Sequence, residues 1–211
     1  MTQTLALFPL QLVVFPGETL NLHIFEPRYQ QLIEDAEAKG VTFAVPTVID
    51  GGLRPVATEV TLAEVAKRYP SGESDVRAVG GRVFFLEEFW KILPGKLYPG
   101  SSARELAVEL EEDVKMNRDI VRLTREIYEN LSINKTVRDA DDGFRTYDVA
   151  HYVGMQLTQE YELLTLRQAR SRQEFLLGHL ENIRPEVEQN VSIRRRAQLN
   201  GHFQELMPPN W

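Results

Sequence analysis

No cysteine occurs among the 211 residues, which excludes a disulfide scaffold, thiolate-held zinc, iron–sulfur clusters and a cysteine nucleophile. Histidine is nearly as scarce. His23, His151, His179 and His202 lie too far apart to form His-Glu-x-x-His or another close ligand pair, and read as packing or capping side chains. Long apolar runs are lacking too. The best candidate, Leu5–Phe15, falls well short of the roughly 20 residues a membrane-crossing helix needs. No Lys or Arg precedes it and no small-residue cleavage site follows, so it is a poor signal peptide. The expectation is a soluble, cytoplasmic protein with no membrane partner. Positive charge is in deficit: 24 Lys and Arg stand against 31 Asp and Glu, a formal net charge of −7, which argues against a nucleic-acid partner. What is present, 43% hydrophobic and 26% charged residues, suffices for a buried core in one large or two small domains.

Catalytic signatures are missing as well. A phosphate-cradling loop needs a leading glycine and a Lys followed by Ser or Thr; Pro94-Gly95-Lys96-Leu97 has neither the leading glycine nor the hydroxyl. The nucleophile elbow Gly-x-Ser-x-Gly is approached but missed at Gly72-Glu73-Ser74-Asp75-Val76 and at Gly100-Ser101-Ser102-Ala103-Arg104. Asp139-Ala140-Asp141-Asp142-Gly143 has its glycine one position too early for a calcium loop and Ala150 where the bidentate Glu belongs, so it reads as a polar turn. Arg194-Arg195-Arg196 would fan around a helix rather than form one phosphate-binding stripe. In Phe84-Phe85-Leu86-Glu87-Glu88-Phe89-Trp90 the two acids would repel a nucleic-acid backbone, so the aromatics read as core and sheet edge. No catalytic residue, metal ligand or cofactor is expected.

The pattern changes near residue 112, which predicts two domains, 1–112 and 113–211. Before it the chain is rich in Pro and Gly and broken into short apolar runs: Leu12–Phe15, Leu20–Ile24, Val41–Val45, Val60–Ala66, Val76–Val79, Val83–Leu86 and Leu106–Leu110. The last alternates with period two, as a half-buried strand does. Tyr69–Glu73 reads as a hairpin turn, and Pro27 and Gly40 bracket a helix with Tyr29, Leu32, Ile33 and Ala36 on one face. Many short strands with Gly and Pro turns predict a closed or nearly closed β structure. After residue 112 the period becomes helical: Ile120, Leu123, Ile127 and Leu131 predict one helix. A second is expected from Thr146, with Val149, Tyr152 and Val153 buried. Thr165-Leu166-Arg167-Gln168 is read as the capping box of a third, with Ala169, Arg172, Leu176 and Ile183 on one stripe and an end before Pro185. A last helix is expected from about Glu186 to Leu199, capped by Asn200-Gly201. The fold class is α+β, a β domain with one or two helices followed by a helical bundle.

One segment is unusual. Leu7–Glu18 reads as two Phe/Leu-rich strands clipped by prolines, Leu20–Phe25 then alternates, and Phe25-Glu26-Pro27-Arg28-Tyr29 turns that strand into the first helix. This stretch resembles the amino-terminal domain of Lon proteases, in the variant carried by stand-alone Lon-domain proteins. The likeness is strong over residues 7–36, looser at Gly80-Gly81-Arg82-Val83-Phe84, fair over 147–183 and thin between 45 and 75. The resemblance implies a PUA-like pseudo-barrel followed by helices, whose role in Lon is to recognise and hold unfolded or tagged polypeptides. No ATPase or protease module follows before Trp211, so peptidase activity is not carried over.

The function expected is a non-catalytic protein-binding module with polypeptide substrates or a protein partner; self-association into a homodimer stays open. Binding would use an apolar groove and an unpaired strand edge offering main-chain hydrogen bonds. The candidate contact residues are Phe15, Phe25, Tyr29, Phe89 and Trp90, with Arg28 as a fixed polar contact. Two alternatives come from other classes: RNA binding, as PUA-like barrels elsewhere do, and an unrecognised hydrolase.

Overall fold

A computed structural model describes the backbone of residues 2–205 and the side chains of residues 2–189 apart from residue 186. In chain order the elements are β1 (Thr2–Leu7), β2 (Thr19–Ile24), α1 (Pro27–Lys39), β3 (Phe43–Ile49), β4 (Gly52–Arg68), β5 (Ser74–Trp90), β6 (Gly100–Leu106), α2 (Val114–Leu131), α3 (Leu157–Thr165) and α4 (Ala169–Glu205). Contacts divide the chain into two compact units, residues up to 111 together with 154–172, and residues 112–153 together with 173 onward.

The first unit is built on one six-stranded sheet. β1 pairs with β3 in parallel and with β6 antiparallel, while β3–β4, β4–β5 and β5–β6 pair antiparallel, so these five strands close into a ring. β2 lies outside that ring, on the first part of β5. The expected closed β structure is present, but its strands are longer than the apolar runs suggest. Val60–Ala66 is part of seventeen-residue β4, and Val76–Val79 and Val83–Leu86 merge into seventeen-residue β5. Gly80-Gly81 does not break β5, because it marks a close approach: a Cβ at Gly80 would collide with the Phe15 carbonyl oxygen. The turn between the two long strands falls on Tyr69–Glu73, closed by Tyr69 N–H to the Glu73 carbonyl at 2.9 Å.

Two expected strands do not form. From Leu10 to Phe15 only Leu10 bridges a strand residue, Thr47; Val13, Val14 and Phe15 are buried without a ladder. Side chains serve this arm instead. The Thr58 hydroxyl donates to the Val14 carbonyl, and the Phe15 N–H donates to the Glu18 carboxylate at 2.9 Å. Leu106–Leu110 alternates as a strand would, yet Leu106 ends β6. Beyond it the Glu109 backbone is held by the α3–α4 turn: its N–H donates to the Arg167 carbonyl at 2.9 Å, and its carbonyl accepts from the buried Arg172 guanidinium.

α1 follows its local signals closely. Pro27 opens it, Gly40 closes it at φ +66°, and Tyr29, Leu32, Ile33 and Ala36 are buried. Tyr29, Leu32 and Ile33 join Leu20, Ile24, Phe43, Val60 and Val76 in the main core of this unit.

In the second unit α2 buries Ile120, Leu123 and Ile127, and its first turn is capped by the Asp113 carboxylate, which accepts from Lys115 N–H at 2.7 Å. The helix expected from Thr146 is instead two 3₁₀ turns, 146–148 and 150–152, with Val149 and Val153 buried but Tyr152 exposed. Thr165 caps nothing that follows. It is the last residue of α3, a helix missed in the sequence, and its hydroxyl returns to the Glu162 carbonyl at 2.7 Å. The first N–H of α4, on Ala169, is taken by the Glu109 carboxylate at 3.1 Å. α4 runs through both Pro185 and Asn200-Gly201, where a break and a cap are expected. The buried stripe Leu176, Leu180 and Val187 keeps helical spacing across the proline, so packing outweighs the lost N–H.

Candidate functional site

Alternation along β2 buries Leu20 and Ile24, half-buries Leu22 and turns Thr19, Asn21 and His23 outward. Phe25 continues the strand into solvent and is 61% exposed. Pro27 then fixes the corner, and the Gln30 amide closes it by donating to the Phe25 carbonyl at 3.1 Å. Arg28 pairs with Glu26 at 2.7 Å and lies over the Tyr29 ring, 4.6 Å from its centre. Tyr29 itself is buried against Phe8, ring centres 4.2 Å apart.

Beside Phe25 a polar cluster gathers at the β4–β5 hairpin. His23 Nδ1 is 2.7 Å from the Asp75 carboxylate, which also accepts the Tyr69 hydroxyl at 2.7 Å. These hydrogen bonds, that of His23 first, hold the Asp75 carboxyl below the usual carboxylate range. The His23 ring stacks at 6.2 Å on Phe25 and meets Tyr69 edge-on at 5.7 Å. With its acid on one nitrogen, His23 has the Glu73 carboxylate 3.7 Å from the other. The cluster offers an imidazole, a phenol and two carboxylates that can bind and orient a polar group. Among the described residues no three His, Asp or Glu side chains come together in a group that could hold a metal.

A second exposed apolar region follows β5. Phe89 is 48% exposed and Trp90 half-buried, and the loop after them displays Ile92 at 65% and Leu97 at 55%. That loop is fastened to α1. Leu97 N–H donates to Gln31 at 2.7 Å, and the buried Asp35 carboxylate accepts from Lys96 at 2.6 Å, from the Tyr98 hydroxyl at 2.8 Å and from Lys39 at 2.6 Å. The hydrogen bonds to Lys39 and Lys96 hold the Asp35 carboxyl far below its ordinary value, while burial and the neighbouring Asp35 push the Tyr98 phenol up.

The structure therefore divides the six expected contact residues. Phe25 and Arg28 are exposed at the β2–α1 corner; Phe89 and Trp90 lie at the opposite end of β5 from Ser74, the partner of Ile24. Phe15 and Tyr29 are core residues, so neither can meet a partner without leaving its packing. Ile92, Leu97 and the His23–Asp75 cluster went unnoticed in the sequence. Ile92 and Leu97 sit in a Pro-Gly loop that looks like an ordinary turn, and nothing local pairs His23 with a residue 52 positions away. Asp35 did leave a trace, an acid on an apolar helix face four residues before Lys39.

With the geometry in place, comparison identifies the family. The model of the substrate-binding domain of the ATP-dependent protease La (Lon) matches residues 4–182, and the chain belongs to that family. Among solved structures it is similar to a Lon N-terminal domain protein from Xanthomonas campestris, with 23% identity, a TM-score of 0.64 and coverage of 83% of this chain and 98% of that one. It is also similar to the N-terminal domain of a Mycobacterium avium complex Lon protease, with 12% identity, a TM-score of 0.59 and coverage of 85% and 98%. Comparison with curated proteins found no match. Among the described residues no helix is long and apolar enough to cross a membrane.

Proposed function

We propose that this chain is a non-catalytic module that captures unfolded polypeptides or extended segments of a partner protein. The observation that carries the proposal is the match of residues 4–182 to a substrate-binding domain. The geometry supports it: Phe25 and Phe89, with Ile92 and Leu97 on a fastened loop, offer exposed apolar contacts, each at least 48% exposed. The contact residues are then Phe25, Arg28, Phe89 and Trp90.

The test is fluorescence anisotropy with labelled lactalbumin kept unfolded by reduction and carboxymethylation. Saturable binding is expected, with Phe25→Ser weakening it about tenfold and leaving thermal stability within about 0.5 kcal/mol. No binding to this or any other unfolded chain overturns the proposal.

A further inference from the structure

Open strand edges are usually blunted. Charged side chains, proline and bulges keep their unpaired N–H and C=O groups from recruiting stray chains. Among the described residues two stretches extend the sheet beyond the closed ring with one side unpaired, and they differ. The far half of β4, from Thr61 to Arg68, pairs with β5 on one side only; it carries Glu64, Lys67 and Arg68, and its register shifts twice, at Leu62/Glu64 and at Val65/Lys67. β2 has no such protection. Thr19-Leu20-Asn21-Leu22-His23-Ile24 contains no Lys, Arg, Asp, Glu or Pro, and its six pairs with β5 run in unbroken register. Among the described residues no strand lies along its outer side.

The ladder also fixes which groups face out. Gly80 N–H donates to the Glu18 carbonyl and Gly17 N–H to the Gly80 carbonyl, each at 2.8 Å, so Gly17, at φ +84°, and Glu18 together face Gly80 across a hydrogen-bonded step of the ladder. Antiparallel pairs alternate, which makes Leu20/Ala78, Leu22/Val76 and Ile24/Ser74 the next hydrogen-bonded ones. Thr19, Asn21 and His23 therefore turn both their N–H and their C=O away from β5. A chain laid along this edge in extended form would meet three donors and three acceptors, with exposed Phe25 at the end of the row.

We infer that the outer edge of β2 is where a client polypeptide docks, adding a strand through the main-chain groups of Thr19, Asn21 and His23, with Phe25 taking an apolar side chain; this deepens the proposed function and rests on it. Main-chain pairing is indifferent to sequence, which suits a module that holds many unfolded chains. A second copy of this chain is the less suitable occupant. Six residues make an edge about 20 Å long and one strand spacing, about 5 Å, wide, an area on the order of 100 Å² against the roughly 800 Å² per partner that a stable dimer buries.

The experiment uses the full chain with two substitutions at one position. Asn21→Pro removes an outward N–H without touching the β2–β5 bonds, and Asn21→Ala removes the side chain but keeps the N–H. With unfolded carboxymethylated lactalbumin as probe, Asn21→Pro should bind about tenfold more weakly and Asn21→Ala within about twofold of wild type. As a check independent of folding, a short Thr/Val-rich peptide should bind the wild-type chain, and the same peptide N-methylated at alternate amides should not. Equal binding by wild type and Asn21→Pro, equal loss in both variants, or undiminished binding of the N-methylated peptide overturns the assignment. So does a wild-type dimer that Asn21→Pro converts to monomer, since a second copy then occupies the edge. Failure of the wild-type chain to bind any unfolded probe sinks the underlying function instead, a distinct result.

Discussion

Asp35 lies on the buried face of α1, where a lone carboxylate would be strongly disfavoured, and three donors keep it there: Lys39 from its own helix, and Lys96 and the Tyr98 hydroxyl from the loop after β5. Its role is to fix that loop, and with it Ile92 and Leu97, against the helix. Asp35→Asn should cost about 1–3 kcal/mol in urea unfolding, the range for a buried, charge-assisted hydrogen-bond group left mismatched. Because folding lowers the pKa of this carboxyl, its stabilisation is complete above the ordinary carboxylate value of about 4 and fades as pH falls toward the lower folded value. Thermal melts at pH 7 and pH 3 should therefore show a larger loss for wild type than for Asp35→Asn. Equal losses would mean that this cluster does not govern acid sensitivity. A second residue-scale test concerns Gly80. Its alanine variant drives a methyl group into the Phe15 carbonyl and should lose about 1–3 kcal/mol, whereas Gly81→Ala, with only an ordinary contact to the Glu59 carbonyl, should lose far less of its urea midpoint.

At the scale of elements, the sequence was most legible where a stop or start is written locally. Pro27 and Gly40 bound α1, Tyr69–Glu73 makes the hairpin, and Ile120, Leu123 and Ile127 mark α2. It was least legible where tertiary partners decide. Gly80-Gly81 looks like a break inside what is one long strand, since the reason for the glycine, the Phe15 carbonyl, is 65 positions away. Leu106–Leu110 alternates without a ladder because Arg172 and Arg167 claim the Glu109 backbone. α4 passes Pro185, where the sequence asks for an end, because Leu180 and Val187 are buried on either side of it. Pro185 sits inside this helix without an N–H to donate, so Pro185→Ala should raise stability, by up to about 3 kcal/mol. An unchanged melting temperature and circular-dichroism signal would place the helix end at the proline after all. The candidate site followed the same rule. Phe25 and Phe89 stand exposed while Phe15 and Tyr29, of the same aromatic character, are core, because burial is settled by tertiary packing, for Tyr29 against Phe8, rather than by neighbours in sequence.

At the scale of the whole molecule, a net charge of −7 and an edge strand without Lys, Arg, Asp or Glu favour the proposed capture of chains by main-chain and apolar contacts over phosphate binding. Binding of an unfolded polypeptide should then change less than about threefold between 50 and 300 mM salt, whereas a phosphate-contacting nucleic-acid binder would lose orders of magnitude over that range. Titration with a labelled single-stranded RNA alongside the unfolded protein separates the two. The most direct measurement is amide hydrogen exchange of the full chain with and without unfolded carboxymethylated lactalbumin. The account predicts new protection concentrated at the amides of Thr19, Asn21 and His23, which face away from β5, with little change at those of Leu20 and Leu22. Protection elsewhere with none along β2, or no protection at saturating probe, would contradict it.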